Sequence, residues 1–371
     1  MKKKCLIVMG YMSYGGIQKS LIDFLDAIKD KVDVDLLLWG RTQDEMPLPS
    51  WVNVIKVPTV KSVRASLRED GLFSRSFILS CLGTLRKKRW QVMGKLKKHY
   101  DVAIAYPQVG FPKYYVIDRV SADKKYAFYH HGAYEFSGKI KEWDKEYYQK
   151  YDKLFCVSKH VQSILDKEFN VSINYDVLPC GINMDAILEK GKEPCQAFDN
   201  ASGIKILTVA RLSTEKNLEM GLEIAHRLVE DNVEFTWLIL GEGDLRSSLE
   251  QKIAENNLCD KVFLLGNQSN PYKFMKNCDV YAQFSKFEAD PITVKETAIF
   301  SKPMVLSNIT AFQNTQNAVN NVTLCDTVEQ AVTEIENISN KQIFQNDLSK
   351  INEMFLEKVE EIFKYEPMSE G

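Results

Sequence analysis

The fold is decided by the stretch Phe287-Glu288-Ala289-Asp290-Pro291-Ile292-Thr293-Val294-Lys295-Glu296, which continues through Thr-Ala-Ile-Phe into Ser301-Lys302-Pro303-Met304-Val305-Leu306. The first ten residues predict a loop that enters a helix at Pro291, because proline is pre-organised for the first helical turn. The last six predict a turn followed by a buried strand. Glu288 would precede the helix, and Glu296 would lie about a turn and a half inside it.

These residue types suit a ligand that carries phosphate and hydroxyl groups. Helix N-termini attract phosphate, and carboxylates accept hydrogen bonds from sugar hydroxyls. The unit could therefore hold a sugar, a phosphate and a ribose together. The alternative is two surface glutamates on a helix, because a chain with 50 acidic residues also produces this spacing by chance. The neighbouring segments decide between the two.

Length and composition predict a two-domain cytoplasmic protein. A chain of 371 residues is too long for one compact core, and no run approaches the roughly 18 apolar residues that cross a bilayer. The start, residues 1–10, has the basic residues of a signal peptide but no cleavage pattern follows, which favours a first buried strand. The eight cysteines form no C-x-x-C pair, so we expect small core residues in a reducing compartment.

The charge is unevenly distributed along the chain. Residues 61–100 contain eleven basic residues against Glu69 and Asp70, although the whole chain has a net charge of −2. Apolar side chains are interleaved with this charge: Phe73, Phe77, Ile78 and Trp90. A basic amphipathic stretch suits an anionic membrane surface, so we expect peripheral docking on the inner face of the membrane. A solvated helical face and a site for an anionic soluble acceptor are the alternatives. We expect no nucleic-acid partner.

Strand-like and helical patterns alternate twice along the chain. The first series of strands occupies residues 4–9, 32–39, 101–106, 125–130, 153–157 and 175–178, with helical signal dominating from 39 to about 100. A polar stretch, 184–203, separates it from strands at 204–210, 235–240, 261–265, 278–283 and 304–307. Such alternation predicts parallel, doubly wound sheets. Two halves of this kind suggest a cleft, with ligands outside the carboxyl ends of the strands.

Two motifs in the first half follow strands. Gly15-Gly16 comes after the first strand and opens a helix, where glycine permits close approach of a ligand and the helix N-terminus favours phosphate. A plain strand-to-helix turn is the alternative. His130-His131-Gly132 ends a later strand, so we expect a histidine at the ligand-binding edge, or alternatively a structural histidine bonded to loop carbonyls. The sequence leaves open which of the two histidines points toward the ligand.

The second half carries its motifs at three strand ends. Val209-Ala-Arg211-Leu-Ser-Thr-Glu-Lys216-Asn217 places two cations at a helix entrance, where they can neutralise a diphosphate. The alternative is a solvated helix start with a Glu–Lys pair. Gly241 and Gly243 form a turn that permits close approach of a nucleotide, and Asp244 could cap the next helix. Asn267 follows the next strand.

Taken together, these segments resemble the retaining GT-B glycosyltransferases of family 4. The Glu288–Glu296 run resembles the family's E-x7-E motif, residues 210–217 resemble its G-R-L-x-x-E-K-N segment, and Gly15-Gly16 resembles its glycine-rich first loop. The resemblance covers nearly the whole chain, weakly in 41–125 and best in 204–308. It implies two Rossmann-like domains facing across a cleft: an acceptor-binding domain over 1–185 and a nucleotide-sugar domain over 186–349. A terminal helix at about 350–365 would pack back on the first.

The resemblance also implies roles for the site residues. Glu288 would lie near the donor sugar, Glu296 would bind the ribose, and His130 or His131 would lie beside the sugars. Arg211 and Lys216 would hold the donor diphosphate. The remaining donor-binding positions would be Gly15, Gly16, Gly241, Gly243, Asn267, Pro291 and Ile292.

Some residues depart from the family pattern. Ala289 and Asp290 stand where the family has a glycine and an aromatic residue, Ala210 replaces a glycine, and Cys180 replaces an asparagine. We expect the altered Glu-Ala-Asp-Pro loop to change which sugar fits.

The predicted function is a metal-independent, retaining transfer of a sugar from a nucleotide-diphosphate donor, with UDP favoured. The acceptor would be a hydroxyl of a glycan or polyprenyl-linked glycan in bacterial surface polysaccharide synthesis. Two alternatives stay open: a non-catalytic nucleotide-sugar-binding subunit, and a GT-B-fold nucleotide-sugar epimerase. The pair Asp33-Val-Asp35 has a metal-binding spacing but lies inside an alternating strand pattern, so we expect coincidence and no metal or other cofactor.

Overall fold

The computed structural model describes residues 2–38, 46–56, 90 and 95–364. These residues form two compact units, the first containing the chain up to Cys180 and again from Met354, and the second containing Gly181–Glu353. The sequence boundary, drawn between residues 185 and 186, lies slightly further along the chain. Each unit is built around its own parallel sheet with helices.

The first unit alternates strands and helices from its first residues. Its elements, in chain order, are β1 (Lys3–Met9), α1 (Gly16–Ile28), β2 (Val32–Leu38), β3 (Asn53–Lys56), β4 (His99–Ala105), α2 (Pro112–Arg119), β5 (Ser121–Tyr129), α3 (Gly138–Tyr148), β6 (Lys153–Cys156), α4 (Lys159–Phe169) and β7 (Tyr175–Val177). The described strands form one sheet in the order β3-β2-β1-β4-β5-β6-β7, with every pair parallel. The central strands are buried on both faces, as parallel strands covered by helices require.

The second unit, whose residues are all described, repeats this organisation. Its elements are α5 (Met184–Lys190), β8 (Ile204–Val209), α6 (Leu218–Glu230), β9 (Phe235–Leu240), α7 (Arg246–Glu255), β10 (Val262–Gly266), α8 (Tyr272–Asn277), β11 (Val280–Gln283), α9 (Ile292–Ala298), β12 (Met304–Ser307), α10 (Thr310–Gln316), β13 (Val322–Cys325) and α11 (Val328–Glu336). Short 3-10 helices lie at Gln196–Phe198, Thr214–Lys216 and Ile338–Asn340. The sheet order is β10-β9-β8-β11-β12-β13, again parallel throughout.

The last helix, α12 (Ser349–Phe363), crosses the division between the units. Its residues Phe355, Val359 and Ile362 share one face at helical spacing and belong to the apolar core of the first unit, together with Phe24 of α1. The burial of this stripe explains why a segment that follows the second unit in sequence contributes to the first.

The order of each sheet reverses direction at one point. In the first unit the reversal lies between β1 and β4, and in the second unit between β8 and β11. Loops that leave neighbouring strands at such a point run to opposite faces of the sheet and open a crevice at the carboxyl ends, where ligands bind in this class of fold. The loops after β8 and β11 therefore locate the ligand-binding edge of the second unit.

Several sequence predictions differ from the structure in detail. The segment predicted as helical after residue 39 contains the strand β3. Its four residues are too few to show a clear alternation of apolar and polar side chains. The terminal helix, expected at about 350–365, spans Ser349–Phe363. The polar stretch 184–203 is packed, because Ile187 and Phe198 enter the core of the second unit. None of the described helices is long and apolar enough to cross a membrane.

Candidate functional site

Glu288 lies at the carboxyl edge of the second sheet and is anchored by three donors. Its Oε1 atom accepts hydrogen bonds from Lys216 Nζ at 2.6 Å, from Gln283 Nε2 at 2.6 Å and from Ser285 Oγ at 2.7 Å. Lys216 follows β8, whereas the other two follow or end β11, so the contact spans the point where the strand order reverses. All three bonds use Oε1, which leaves Oε2 without a donor among the described residues. The structure thus brings together Lys216 and Glu288, which are 72 residues apart in sequence.

The buried side-chain amide of Gln283 fixes the orientation of Glu288. Gln283 is 3% exposed, and its Oε1 atom accepts from the Tyr281 hydroxyl at 2.6 Å and from Thr293 Oγ1 at 3.1 Å. Its Nε2 group donates to Ser285 and Glu288. Burial raises the pKa of Tyr281, so this hydroxyl keeps its proton and can donate. A carboxylate only accepts, so the partners themselves determine which end of the amide faces Glu288.

Glu296 occupies a different environment on α9. It is 4% exposed, and its Oε1 atom accepts a hydrogen bond of 2.9 Å from the hydroxyl of Tyr272 on α8. The helix begins at Ile292, with Pro291 as its N-cap residue, so the prediction that Pro291 would be the first helical residue was one position early. The helix has seven residues, and Glu296 is the fifth of them.

Arg211 lies in the loop after β8, and its side chain is exposed with no hydrogen bond or ion pair to any described residue. The backbone of this loop is held by the turn after β9. Leu212 donates its N–H to the Glu242 carbonyl at 3.0 Å and accepts from Leu245 N at 3.1 Å. The loop therefore has a fixed backbone and presents an exposed cation, whose charge is among the smaller causes that lower the pKa of the nearby Glu215.

The glycines of the β9 turn are required by this packing. Gly241 has a φ of +137°, and a Cβ there would lie 2.0 Å from the Ala210 carbonyl oxygen. A Cβ on Gly243 would lie 2.3 Å from the Leu212 carbonyl oxygen. These distances give a structural reason for both glycines besides the predicted approach of a nucleotide. Asp244 is not the cap of the following helix, as the sequence suggested, because the N-cap position of α7 is Leu245.

Asn267 follows β10 and is exposed, with no hydrogen bond to another described residue. The preceding Gly266 has a φ of +70° and accepts a backbone hydrogen bond from Gly241 N at 2.9 Å. The turns after β9 and β10 are thereby joined at the same edge of the sheet.

In the first unit, Gly15 and Gly16 begin α1 as predicted, but the backbone does not require glycine at position 15. Gly15 is the N-cap residue with a φ of 174°, an extended conformation that any residue adopts. The carbonyl of Gly15 accepts the first helical hydrogen bond, from Lys19 N at 2.9 Å. A role in ligand approach therefore stays a prediction.

His130 follows β5 and is packed between aromatic rings. Its ring lies 4.8 Å from that of Tyr106 and 5.9 Å from that of Phe128. Both ring nitrogens are buried and have no hydrogen-bond partner among the described residues. Burial lowers the pKa of His130 to about 4, with the backbone of Tyr106 opposing in part, so the imidazole is neutral at pH 7. Buried polar atoms of this kind are usually satisfied by water or by a ligand.

His131 is held differently from its neighbour. Its Nδ1 atom lies 3.0 Å from the Ala133 carbonyl, so this nitrogen carries the proton of that hydrogen bond. The backbone of His130 is itself fixed by Gln108, whose Oε1 atom accepts from His130 N at 3.3 Å.

Asp35 of the Asp33-Val-Asp35 pair is buried in the first unit. Asp35 is 6% exposed and accepts from Lys98 Nζ at 2.8 Å, from Asn53 Nδ2 at 2.7 Å and from the Tyr100 hydroxyl at 2.7 Å. Burial works to raise the pKa of Asp35, but these three donors outweigh it and lower the pKa overall. The carboxylate is therefore committed to protein donors.

Most of the predicted membrane-docking segment lies outside the described residues, including 61–89 and 91–94. Two of its described members are engaged with the fold. Trp90 is 4% exposed and donates its indole N–H to Asp118 at 2.7 Å, so its ring is not available to a membrane surface. Lys98 is paired with Asp35, which offsets one of the eleven positive charges counted in the sequence.

Two protein-family models match the chain. Residues 14–186 match the model described as Glycosyltransferase Family 4, and residues 195–354 match the model described as Glycosyl transferases group 1. Together they account for both units. The chain belongs to the group 1 glycosyltransferases. The family that the sequence motifs indicated is thus confirmed, and so is the GT-B class of fold.

Relatives of this glycosyltransferase include two bacterial enzymes. The N-acetylgalactosamine-N,N'-diacetylbacillosaminyl-diphospho-undecaprenol 4-alpha-N-acetylgalactosaminyltransferase of Campylobacter jejuni is 35% identical over 142 residues, 38% of this chain and 37% of that protein. The UDP-Gal:alpha-D-GlcNAc-diphosphoundecaprenol alpha-1,3-galactosyltransferase of Escherichia coli is 26% identical over 166 residues, 42% of this chain and 43% of that protein. The chain thus spans about two fifths of the length of the curated relatives it matches.

A solved structure shares the fold of this glycosyltransferase along nearly its whole length. Anabaena HepE in complex with UDP and glucose superposes with a TM-score of 0.68 at 16% identity, covering 97% of this chain and 100% of that one. At this identity the likeness shows the fold alone.

Sequence reasoning missed the residues that hold the glutamates of this glycosyltransferase in place. Gln283, Ser285 and Tyr272 donate to the two carboxylates, and Tyr281 and Thr293 complete the network. The signal that could have found Gln283 and Ser285 is their alternation at the end of a buried strand, where polar side chains on the same face need partners. Tyr272 gave no such signal, because its contact with Glu296 exists only in three dimensions.

Proposed function

We propose that this glycosyltransferase is a retaining, metal-independent enzyme that transfers a sugar from a UDP-sugar to a hydroxyl of a glycan or polyprenyl-linked glycan. The proposed setting is bacterial surface polysaccharide synthesis. The observation that carries the proposal is the contact between Lys216 and Glu288 where the order of the second sheet reverses. The UDP in the HepE complex supports the choice of nucleotide, and the diphosphoundecaprenol names of the two relatives support the acceptor class.

The departing UDP is the group that most needs stabilisation in such a transfer. Breaking the anomeric bond leaves negative charge on the diphosphate, and positive charge that is already in place lowers the barrier without reorganisation. Arg211 offers a planar fork of donors that makes no hydrogen bond to a carboxylate of the described residues, and Lys216 offers a point charge. Lys216 would pass from Glu288 to the diphosphate when the donor binds, while Gln283 and Ser285 keep the carboxylate in place.

The two glutamates would then hold different parts of the donor. Glu288, whose Oε2 has no donor among the described residues, would orient the sugar and favour its developing positive charge. Glu296, held by Tyr272, would accept from a ribose hydroxyl. The remaining donor-binding positions are assigned as the sequence predicts: Gly15, Gly16, Gly241, Gly243, Asn267, Pro291 and Ile292. Attack from the leaving-group face would give retention and would require no protein nucleophile.

The histidines of the first unit are proposed to lie beside the sugars. His130 is neutral, and its ring nitrogens have no hydrogen-bond partner in the part of the chain that the structure describes, so either nitrogen can bond a hydroxyl that enters the site. His131 is proposed for the same region, with its Nδ1 proton donated to the Ala133 carbonyl.

Turnover of UDP-sugars by the isolated protein tests the proposal. A panel of UDP-glucose, UDP-galactose, UDP-GlcNAc and UDP-GalNAc is screened for thermal stabilisation, because a bound donor raises apparent stability by mass action. Transfer to lipid-extracted polyprenyl-diphosphate glycans is then measured for the wild type, Lys216→Ala and the control Lys252→Ala, whose ion pair with Glu219 lies on exposed helical faces. Loss of transfer in Lys216→Ala alone supports the assignment. Isomerised donor without acceptor indicates an epimerase, and binding without any turnover indicates a binding subunit.

Metal independence is tested separately. We expect full transfer in the presence of EDTA, because Arg211 and Lys216 are proposed to supply the charge that a metal ion would otherwise provide. Inactivation by EDTA with recovery on adding Mg²⁺ or Mn²⁺ would contradict this part of the proposal.

Peripheral membrane docking is the proposed route to a polyprenyl-linked acceptor. The basic excess in residues 61–100 is a property of the sequence, and each cation near an anionic surface contributes on the order of 1 kcal/mol. Sedimentation with vesicles of phosphatidylglycerol should show binding at low salt that fades as salt rises. The matched variant reverses the four charges of residues 86–89 to glutamate. A protein that stays in the supernatant at low salt, or a variant that binds like the wild type, refutes membrane docking.

A further inference from the structure

A buried ion pair lies between the two glutamates of the motif. Asp290, in the loop before α9, bonds to Lys295 within that helix, and each side chain is only 8% exposed. Asp290 is two residues after Glu288, and Lys295 is immediately before Glu296. The pair therefore joins the loop that follows one glutamate to the helix that carries the other.

This pair is hard to explain by stability alone. Two charges removed from water lose their hydration, and replacing a buried ion pair with apolar residues is often neutral or stabilising. In the resemblance described above, an aromatic residue stands where this chain has Asp290. An apolar contact would hold the loop without the cost of burying charge, so the charged version calls for a geometric reason.

The neighbouring contacts indicate what that reason is. Glu288 is fixed to the end of β11 by Gln283 and Ser285, and Glu296 is fixed to α8 by Tyr272. The backbone between them contains only Ala289 to Lys295, and α9 is just seven residues long. A directional contact between Asp290 and Lys295 sets the path of this short connection in a way that an apolar contact does not.

We propose that the Asp290–Lys295 pair positions the loop 288–291 for the sugar portion of the donor, leaving recognition of the nucleotide to Glu296 and the β8 loop. This inference rests on the proposed function, since it assigns the loop to the sugar of a UDP-sugar. Both residues are positioning residues: they act through Glu288 and the loop backbone and do not themselves touch the reacting atoms.

The test compares affinity for UDP with affinity for the UDP-sugar that stabilises the wild type most, by calorimetry. The variants are Lys295→Met, the double variant Asp290→Asn/Lys295→Met and Lys295→Arg. The control is Lys341→Met, which breaks a partly buried pair with Glu334 elsewhere in the second unit. Thermal midpoints are recorded for all of them, because an unpaired buried carboxylate destabilises the fold.

A positioning role predicts a split between the two ligands. In the double variant the midpoint should return toward the wild type, while the preference for UDP-sugar over UDP should stay reduced by about tenfold or more, with UDP affinity changed less than about twofold. Lys295→Arg should restore the preference, because the guanidinium can re-form the pair. The control should keep the wild-type preference.

Each contrary outcome overturns the inference. If the double variant recovers both the midpoint and the preference, the pair is only structural. If UDP affinity falls as much as UDP-sugar affinity, the pair does not act on the sugar. If the wild type binds UDP but none of the UDP-sugars more tightly, the sugar subsite is absent from this loop. If it binds neither, the proposed function fails as well, and the absence of any UDP binding is what distinguishes that case.

Discussion

Replacing Glu288 with glutamine should have opposite effects on nucleotide binding and on turnover. The substitution keeps the shape of the side chain and an oxygen that Gln283 and Ser285 can still bond. It removes the negative charge that neutralises Lys216 at 2.6 Å. Free UDP has no sugar, so it loses no contact when the carboxylate disappears, and it gains an unengaged lysine.

The size of the gain follows from the bond that Lys216 must give up. A hydrogen bond to a charged group contributes about 1.5–3 kcal/mol and a neutral one about 1 kcal/mol, so releasing Lys216 should contribute about 0.5–2 kcal/mol. That difference corresponds to UDP binding about 2- to 30-fold tighter. Turnover of the UDP-sugar should fall by about 10- to 150-fold, because the sugar loses its own charge-assisted bond in the transition state.

Calorimetric titration with UDP and steady-state kinetics with a UDP-sugar measure the two effects on the same preparations. Glu219→Gln is the matched control, since it also removes a carboxylate paired with a lysine in this unit but on an exposed helix. UDP affinity that falls in Glu288→Gln by the same factor as kcat/KM would refute the reasoning, because it would show that Glu288 holds the nucleotide rather than competing with it for Lys216.

Three further outcomes are expected. Arg211→Ala and Lys216→Ala should each weaken binding of UDP by about 10-fold or more while leaving uridine binding unchanged, and an equal loss for both ligands in calorimetry would remove these residues from the diphosphate site. The free energy of unfolding should fall by up to about 3 kcal/mol as pH falls from 6.5 to 4. The reason is that His130 takes up a proton in this range in the unfolded state, whereas in the folded state burial lowers its pKa to about 4. Denaturant titrations of His130→Phe should lack this dependence on pH. Gly243→Ala should lower the thermal midpoint, because its Cβ would lie 2.3 Å from the carbonyl oxygen of Leu212, and an unchanged midpoint would show that the two turns separate freely.

Short-range patterns in the sequence were sufficient to place most elements and the family motifs. The strands at 235–240 and 304–307 have the bounds that their apolar runs predict, since a strand buried on both faces needs a continuous apolar segment. The segments around Arg211 and Glu288 were located because their charged residues, and Pro291 in the second segment, stand at fixed distances along the chain. Strand β3 was missed because four residues carry too little periodicity to identify.

What the sequence by itself determined was therefore the type of fold, the family and the positions of Glu288, Glu296, Arg211 and Lys216 along the chain. Only the tertiary structure decided how these groups are engaged: that Lys216 meets Glu288 across 72 residues, that Tyr272 meets Glu296, and that Asp290 is buried against Lys295. The physical reason is that helices and strands follow from interactions between near neighbours. The partner of a buried polar group is set by which strand ends the sheet order brings together, and that order is a property of the whole chain.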